Sequence, residues 1–191
     1  MYLFFDTETN GLPKNWKAPV SDTNNWPRLV QIAWILYDDK ADMIKEKEAV
    51  IRPEGFEINL EAAKIHGITP ERAEKEGVPL QGILEEFAAD IGRSTHLVAH
   101  NIAFDEMIVG SEFVRKKIQH KLFLKERICT MLATTDFCRI PGKYRGKYKW
   151  PKLQELHKIL FGYEFEEAHD ARADIHATAK CFWELKKKGV I

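Results

Sequence analysis

Residues 29–52 read LVQIAWILYDDKADMIKEKEAVIR, two apolar-patterned stretches separated by a turn at Asp38, Asp39 and Lys40. Leu29 to Tyr37 is rich in β-branched and aromatic residues and predicts a buried strand; Met43 to Arg52 predicts a second. The polar connection is too short for a helical crossover, so the two must pair antiparallel. Upstream, Met1 to Phe5 is an apolar, aromatic run that ends at Asp6 and reads as another buried strand. The stretch from Gly11 to Arg28, with three prolines and three asparagines, is its loop connection. An antiparallel meander therefore opens the chain.

After Pro53 the period changes. Leu80, Ile83, Leu84, Phe87, Ala88 and Ile91 fall on one face of a helix. His96 to Ala99 predicts a short strand leading to Asn101 as helix N-cap. The helix beyond it turns Phe104, Met107, Ile108, Val114 and Ile118 inward. Arg127 to Thr130 predicts a last strand, with helices over Met131–Phe137 and Leu153–Phe161. A final helix starts near Asp170 and ends at Lys186, Lys187, Lys188 and Gly189. Strands followed by mixed strands and helices indicate an α/β fold with a mixed sheet, in one domain over 1–191.

Composition narrows the class without naming a function. At 191 residues the chain is long enough to bury about 70% of its unfolded surface. Hydrophobic residues make up 45%, and 29 Lys and Arg balance 29 Asp and Glu. A polyanionic partner would have to be held by a local patch or a metal, not by net charge. Cys129, Cys138 and Cys181 form neither a disulfide framework nor a four-thiolate zinc site, so they read as small buried hydrophobes in a reducing compartment. No apolar run is long enough to span a bilayer; the densest, Leu29 to Leu36, is interrupted by Gln31. The first residues lack the regions of a signal peptide, so a cytoplasmic location with no membrane association is expected.

Three clusters could carry chemistry. Asp6 and Glu8, two apart on a strand, point to the same side and bring two carboxylates together. Such a pair is unfavourable without a cation, and hard oxygen donors suit Mg²⁺ or Mn²⁺. On its own a D-x-E pair is ordinary solvated surface. Asp105 follows a strand and lies in a first helical turn, where it could equally complement the helix dipole. His169 and Asp174 would sit about 140° apart on a regular helix. They can face one cavity only if His169 lies in the preceding loop, with Asp170 as N-cap. His176 reads as a surface or core residue, and His120 and His157 as solvated residues of Lys-flanked helices.

Taken in order, Phe5-Asp6-Thr7-Glu8-Thr9-Asn10-Gly11-Leu12, His66-Gly67-Ile68-Thr69, His100-Asn101-x-x-Phe104-Asp105 and His169-x4-Asp174 resemble the motifs of the DEDDh 3′–5′ exonucleases. That family includes the proofreading subunit of bacterial DNA polymerase III. The resemblance runs from Phe5 to about Ala179. It implies a ribonuclease H-like α/β fold, a mixed five-stranded sheet with its first three strands antiparallel, flanked by helices. It also implies a two-metal phosphodiesterase in which Asp6, Glu8, Asp105 and Asp174 hold two divalent ions, Mg²⁺ or Mn²⁺, with Asp6 bridging them. His169 would be the general base. The chemistry is consistent: two divalent ions neutralise an anionic phosphodiester and activate water, and an imidazole suits a base working near neutral pH. The resemblance further places Thr7 and Leu12 beside the 3′-terminal nucleotide with His66 nearby. Ordinary loop packing of Leu12 and a turn-capping His66 are the alternatives.

Residues 139–152 read RIPGKYRGKYKWPK, with six basic residues, no acid, and Tyr144, Tyr148 and Trp150 interleaved. Lysines and arginines track phosphates, and aromatic faces stack on unpaired bases. Lys143, Tyr144, Arg145, Lys147, Tyr148 and Lys149 are therefore candidate contacts to single-stranded 3′ ends, against a plain solvated loop. DNA is favoured as substrate. An RNA-trimming or oligoribonucleotide-degrading enzyme and a non-catalytic nucleic-acid-binding module on the same fold remain open. A His-Asp-type phosphohydrolase, raised by His169-Asp170, fits poorly with the strand-rich first fifty residues. Proofreading subunits of this family continue into a polymerase-binding tail. Here the chain ends at Ile191, 17 residues after Asp174, which leaves a stable polymerase partnership open and favours a stand-alone nuclease or a subunit attached differently.

Overall fold

The computed structural model describes residues 1–144, 147–166 and 168–191. Its sheet is built from β1 (Tyr2–Thr9), β2 (Leu29–Tyr37), β3 (Met43–Val50), β4 (His96–Ala99) and β5 (Glu126–Cys129), in the order β3-β2-β1-β4-β5. β1, β2 and β3 pair antiparallel; β4 and β5 run parallel to β1. The predicted mixed sheet is therefore correct, and the first strand is its centre.

β1 runs four residues past its expected end at Phe5. Asp6, Thr7 and Glu8 pair with Ala33, Ile32 and Gln31, and ladder bonds on a central strand outweigh the poor strand propensity of acids. β5 likewise begins at Glu126, and Thr130 already starts the next helix.

Eight α-helices surround the sheet among the described residues: α1 (Leu60–His66), α2 (Pro70–Glu76), α3 (Leu80–Arg93), α4 (Ile102–Lys116), α5 (Thr130–Ala133), α6 (Thr135–Cys138), α7 (Leu153–Phe161) and α8 (Ala171–Lys187). α1 and α2, not resolved individually by periodicity, are short helices with side-chain caps from Asn59 and Thr69. The expected Met131–Phe137 helix is broken at Thr134, giving α5 and α6. Asn101 does occupy the N-cap position of α4, but at φ 77° and without a side-chain cap bond.

Strand alternation sorts the two faces. Phe5, Ile32 and Trp34 pack with Leu84 and Phe87 of α3 and Ile108 and Phe113 of α4. On the other face Phe4, Ala33 and Ile35 pack with Ala171, Ile175, Ala179 and Phe182 of α8. Asp6 and Glu8 share the parity of Phe4 and face α8, whereas Thr7 faces α4.

Three expected exposures are reversed. Val114, expected inward, is 40% exposed near the end of α4. His157 is buried, its Nδ1 hydrogen-bonded to the Tyr163 carbonyl at 2.8 Å. His120 lies beyond α4, half-buried, stacked on Phe113 and accepting the Leu122 amide through Nδ1. Flanking lysines report local charge, not which side of a ring finds a cavity. Cys181 is buried and Cys129 and Cys138 are half-buried, all as free thiols.

Candidate active site

The central strand supplies Asp6 and Glu8. α4 brings Asp105 in its first turn, and the carboxylate is held from 98 residues away: the Thr7 amide and hydroxyl donate to Asp105 Oδ1 at 3.1 and 2.7 Å. α8 brings Asp174 in its first turn. His169 does lie in the loop before α8, at φ 71°, in the left-handed region that His tolerates better than bulkier residues. That turn lets the His169 amide donate to Asp174 Oδ2 at 3.2 Å. Ligand atoms of Glu8, His169 and Asp174 lie within 4.8 Å of one another. Asp170 caps α8, its Oδ1 accepting the Arg172 and Ala173 amides at 3.0 Å.

The four acids share one electrostatic environment. Burial, then the charges of Asp105, Asp174 and Glu8, push the Asp6 carboxyl well above the usual range. Burial and the charges of Asp174 and Asp105 raise Glu8 to about 8. Burial also raises Asp105 against the Thr7 hydrogen bonds, and raises Asp174 against the His169 amide. No lysine or arginine among the described residues is a source of relief for any of them. An all-oxygen, cation-poor, desolvated set of this kind fits hard divalent ions.

Cavities open on either side of the acids. One of about 460 Å³ is lined by Thr7, Glu8, Leu12, Ile65, His66 and Phe104. Thr7, Leu12 and His66 thus share a cavity with Glu8, Leu12 standing 73% exposed at its wall. His66 is buried; its Nδ1 accepts the Ile68 amide at 3.1 Å, so the neutral ring carries its proton on Nε2, which forms no well-made hydrogen bond. The second cavity, about 450 Å³, is lined by Asp6, His169 and Asp174 together with Met131, Trp150 and Phe165.

Within the basic segment Pro141 is bridged to Tyr148, and Gly142 N–H donates to the Lys147 carbonyl. Tyr144 and Tyr148 are exposed, and Lys149 is paired with Glu155 at 2.6 Å. Arg145 lies outside the described residues. Lys143, Tyr144, Lys147, Tyr148 and Lys149 line neither cavity beside the acids; from this segment Trp150, Pro151 and Lys152 do.

Two supporting residues, Gln31 and the motif residue His100, were given no role by the sequence. Gln31, fully buried on β2, donates through Nε2 to Glu48 at 2.9 Å and to Asp170 at 3.2 Å, and its Oε1 accepts the Ala171 amide. It joins the sheet to the start of α8, and its signal was a polar residue inside an otherwise apolar strand. His100 links the start of α4 to the basic segment: Nδ1 meets the Thr130 hydroxyl and Nε2 the Pro151 carbonyl, each at 2.9 Å.

The chain matches a family model, RNase_T, described as exonuclease, over residues 3–182. Among solved structures it is similar to exonuclease I from Methylocaldum szegediense, at 22% identity and a TM-score of 0.75 over 98% of this chain and 40% of that one. It is also similar to E. coli exonuclease I in complex with a 5cy-dA13 oligonucleotide (21% identity, TM-score 0.72, 97% and 40% covered). A zinc-ion-bound complex of the E. coli enzyme with single-stranded DNA is similar at 24% identity and a TM-score of 0.68, with 98% and 40% covered. At such identities the likeness is one of fold, and this chain spans about 40% of the length of those structures. No curated protein matches it in sequence.

Proposed function

Because this chain belongs to the RNase_T exonuclease family, of the DEDDh 3′–5′ type, we propose that it removes nucleoside 5′-monophosphates one at a time from the 3′ end of single-stranded nucleic acid. The observation that carries this reading is the convergence of Asp6, Glu8, Asp105, Asp174 and His169 on one desolvated, cation-poor site. Single-stranded DNA is the favoured substrate, since the solved relatives in fold include complexes with DNA oligonucleotides.

Asp6, Glu8, Asp105 and Asp174 would hold two divalent ions, Mg²⁺ or Mn²⁺. Such a pair, when bound, neutralises the scissile phosphate, makes water more acidic and stabilises the leaving oxygen. His169 takes the proton from the attacking water. The water oxygen bonds to phosphorus, the bond from phosphorus to the 3′-oxygen of the penultimate nucleotide breaks, and that oxygen takes a proton from solvent to become the new 3′-hydroxyl, while His169 gives its proton up to solvent. Leu12 packs on the terminal base, with Thr7 and His66 lining the same cavity. Lys143, Lys147, Tyr144 and Tyr148 meet the strand farther from the cut, where phosphate attraction and stacking need no catalytic geometry.

The test is a 5′-labelled oligonucleotide, DNA or RNA, with Mg²⁺, Mn²⁺ or EDTA, beside Asp174→Ala. A metal-dependent ladder shortening from the 3′ end, absent in the variant, is expected. Cleavage that persists in Asp174→Ala, or none in the wild type with metal bound, would overturn the reading.

Gln31 acts through Asp170 as a positioning residue. Gln31→Leu keeps the volume but leaves the buried Ala171 amide without its acceptor, costing roughly 1–3 kcal/mol of stability. kcat is expected to fall about 10- to 100-fold through misplacement of His169 and Asp174, with KM unchanged. A rise in KM at constant kcat would show that Gln31 serves substrate binding instead.

A further inference from the structure

Trp150 is 63% exposed, whereas Trp26 and Trp34 are buried in the core. Its surroundings are not open surface: it lines the 450 Å³ cleft whose other walls include Asp6, His169 and Asp174. Phe165, Met131 and Leu153 give that cleft an apolar part, and the exposed Lys152 also lines it. A cleft lined by both acidic groups and aromatic side chains suits a nucleotide, whose phosphate can meet the acids and whose base can meet the rings.

The position of Trp150 is also fixed relative to the acids. The next residue, Pro151, is buried, and its carbonyl is held by His100 Nε2 at 2.9 Å. Burial lowers the His100 pKa to about 4, so the ring is neutral; Nε2–H donates to Pro151 and Nδ1 accepts from the Thr130 hydroxyl. His100 lies five residues before Asp105 at the start of the same helix. The backbone that carries the indole is therefore tied to the segment that carries a catalytic carboxylate, which reduces the ordering cost of a stacked complex.

We propose that Trp150, with Phe165, forms a stacking shelf for one unpaired base of the strand whose scissile phosphate lies at Asp6 and Asp174. This deepens the exonuclease reading and rests on it. Stacking on an aromatic face is tolerant of sequence and requires an unpaired base, so the shelf selects single-stranded substrate while accepting all four bases. Among the aromatic residues of the basic segment it assigns the close contact to Trp150, and not to Tyr144 or Tyr148.

The experiment uses a set of 5′-labelled single-stranded DNA oligonucleotides, each carrying one abasic residue at a different distance from the 3′ end. They are digested by wild type, Trp150→Phe and Trp150→Ala. Trp150→Ala is expected to raise KM roughly 5- to 150-fold, the range for losing one base–aromatic stack, with Trp150→Phe close to wild type. At one abasic position the wild type should lose the same factor, and Trp150→Ala should lose nothing more. In EDTA, binding of the intact oligonucleotide should quench tryptophan fluorescence in the wild type and much less in Trp150→Ala, and the abasic residue at that one position should restore the wild-type signal. Equal abasic penalties in wild type and Trp150→Ala at every position, or an unchanged KM, would overturn the shelf. A wild type that binds but releases no nucleotide would overturn the exonuclease reading, and the fluorescence arm would still decide for or against the shelf.

Discussion

Glu8→Gln should abolish strand shortening, by roughly 10³-fold or more, while making the ion-free protein more stable. The loss would reflect removal of one of the four carboxylates proposed to hold the divalent ions, each ion worth several kcal/mol of transition-state stabilisation. The gain in stability follows from the pKa. Glu8 ordinarily titrates near 4.5 and is raised to about 8 in the fold by burial and by Asp174 and Asp105. A folded-state pKa above the unfolded one means that the folded protein binds the extra proton. That contribution to stability is fully present below about pH 4.5 and is lost as pH rises through 8. The wild-type Tm measured in EDTA should therefore fall between pH 5 and 8.5. At pH 8 Glu8→Gln should melt several degrees higher, since 1 kcal/mol is worth about 2–4 °C at this chain length. Added Mg²⁺ or Mn²⁺ should raise the wild-type Tm and have much less effect on the variant. Thermal denaturation across pH, with and without metal, checks all three. A pH-independent Tm in EDTA would show that the acids do not crowd one another, and retained activity would remove Glu8 from the metal site.

The second large effect is at His169. His169→Asn should lower kcat about 10²- to 10⁴-fold, the usual contribution of a general base, with little change in KM or in the metal-induced rise in Tm. Asn is the suitable replacement because it tolerates φ 71° and keeps the backbone amide that holds Asp174. An alanine there would add backbone strain and confuse the comparison. If His169→Asn also lost the metal-induced shift in Tm, His169 would be a ligand and not the base, a role its proximity to Glu8 and Asp174 also permits.

Much of this protein is legible in one dimension. Short apolar runs of strand length placed Leu29–Tyr37 and His96–Ala99 at the residues where the sheet has them. Helical periodicity located Leu80–Ile91 and Leu153–Phe161, and the Asp170 cap follows from the preference of short acceptors for helix N-termini. These features are local: a few neighbours along the chain decide them. The spacing of Asp6 and Glu8 was enough to put both carboxylates on one side of a strand.

What the tertiary structure decided depends on partners far away in sequence. β1 continues through Glu8 because β2 supplies its ladder, against the local propensity of acids. Asp105 is oriented by Thr7 across 98 residues, and the start of α8 is tied to Gln31 across 139. His157 is buried and His120 stacks on Phe113 because of cavities that no pattern around them announces. Within the basic segment, the sequence offered Tyr144 and Tyr148 as contacts and passed over Trp150, and only the fold places Trp150 beside the acids. The sequence by itself determined which residues could do the chemistry, since side-chain type and spacing are properties of the chain. Their shared desolvation, raised pKa values and mutual reach were decided only by folding, because field and burial arise when distant segments exclude water together.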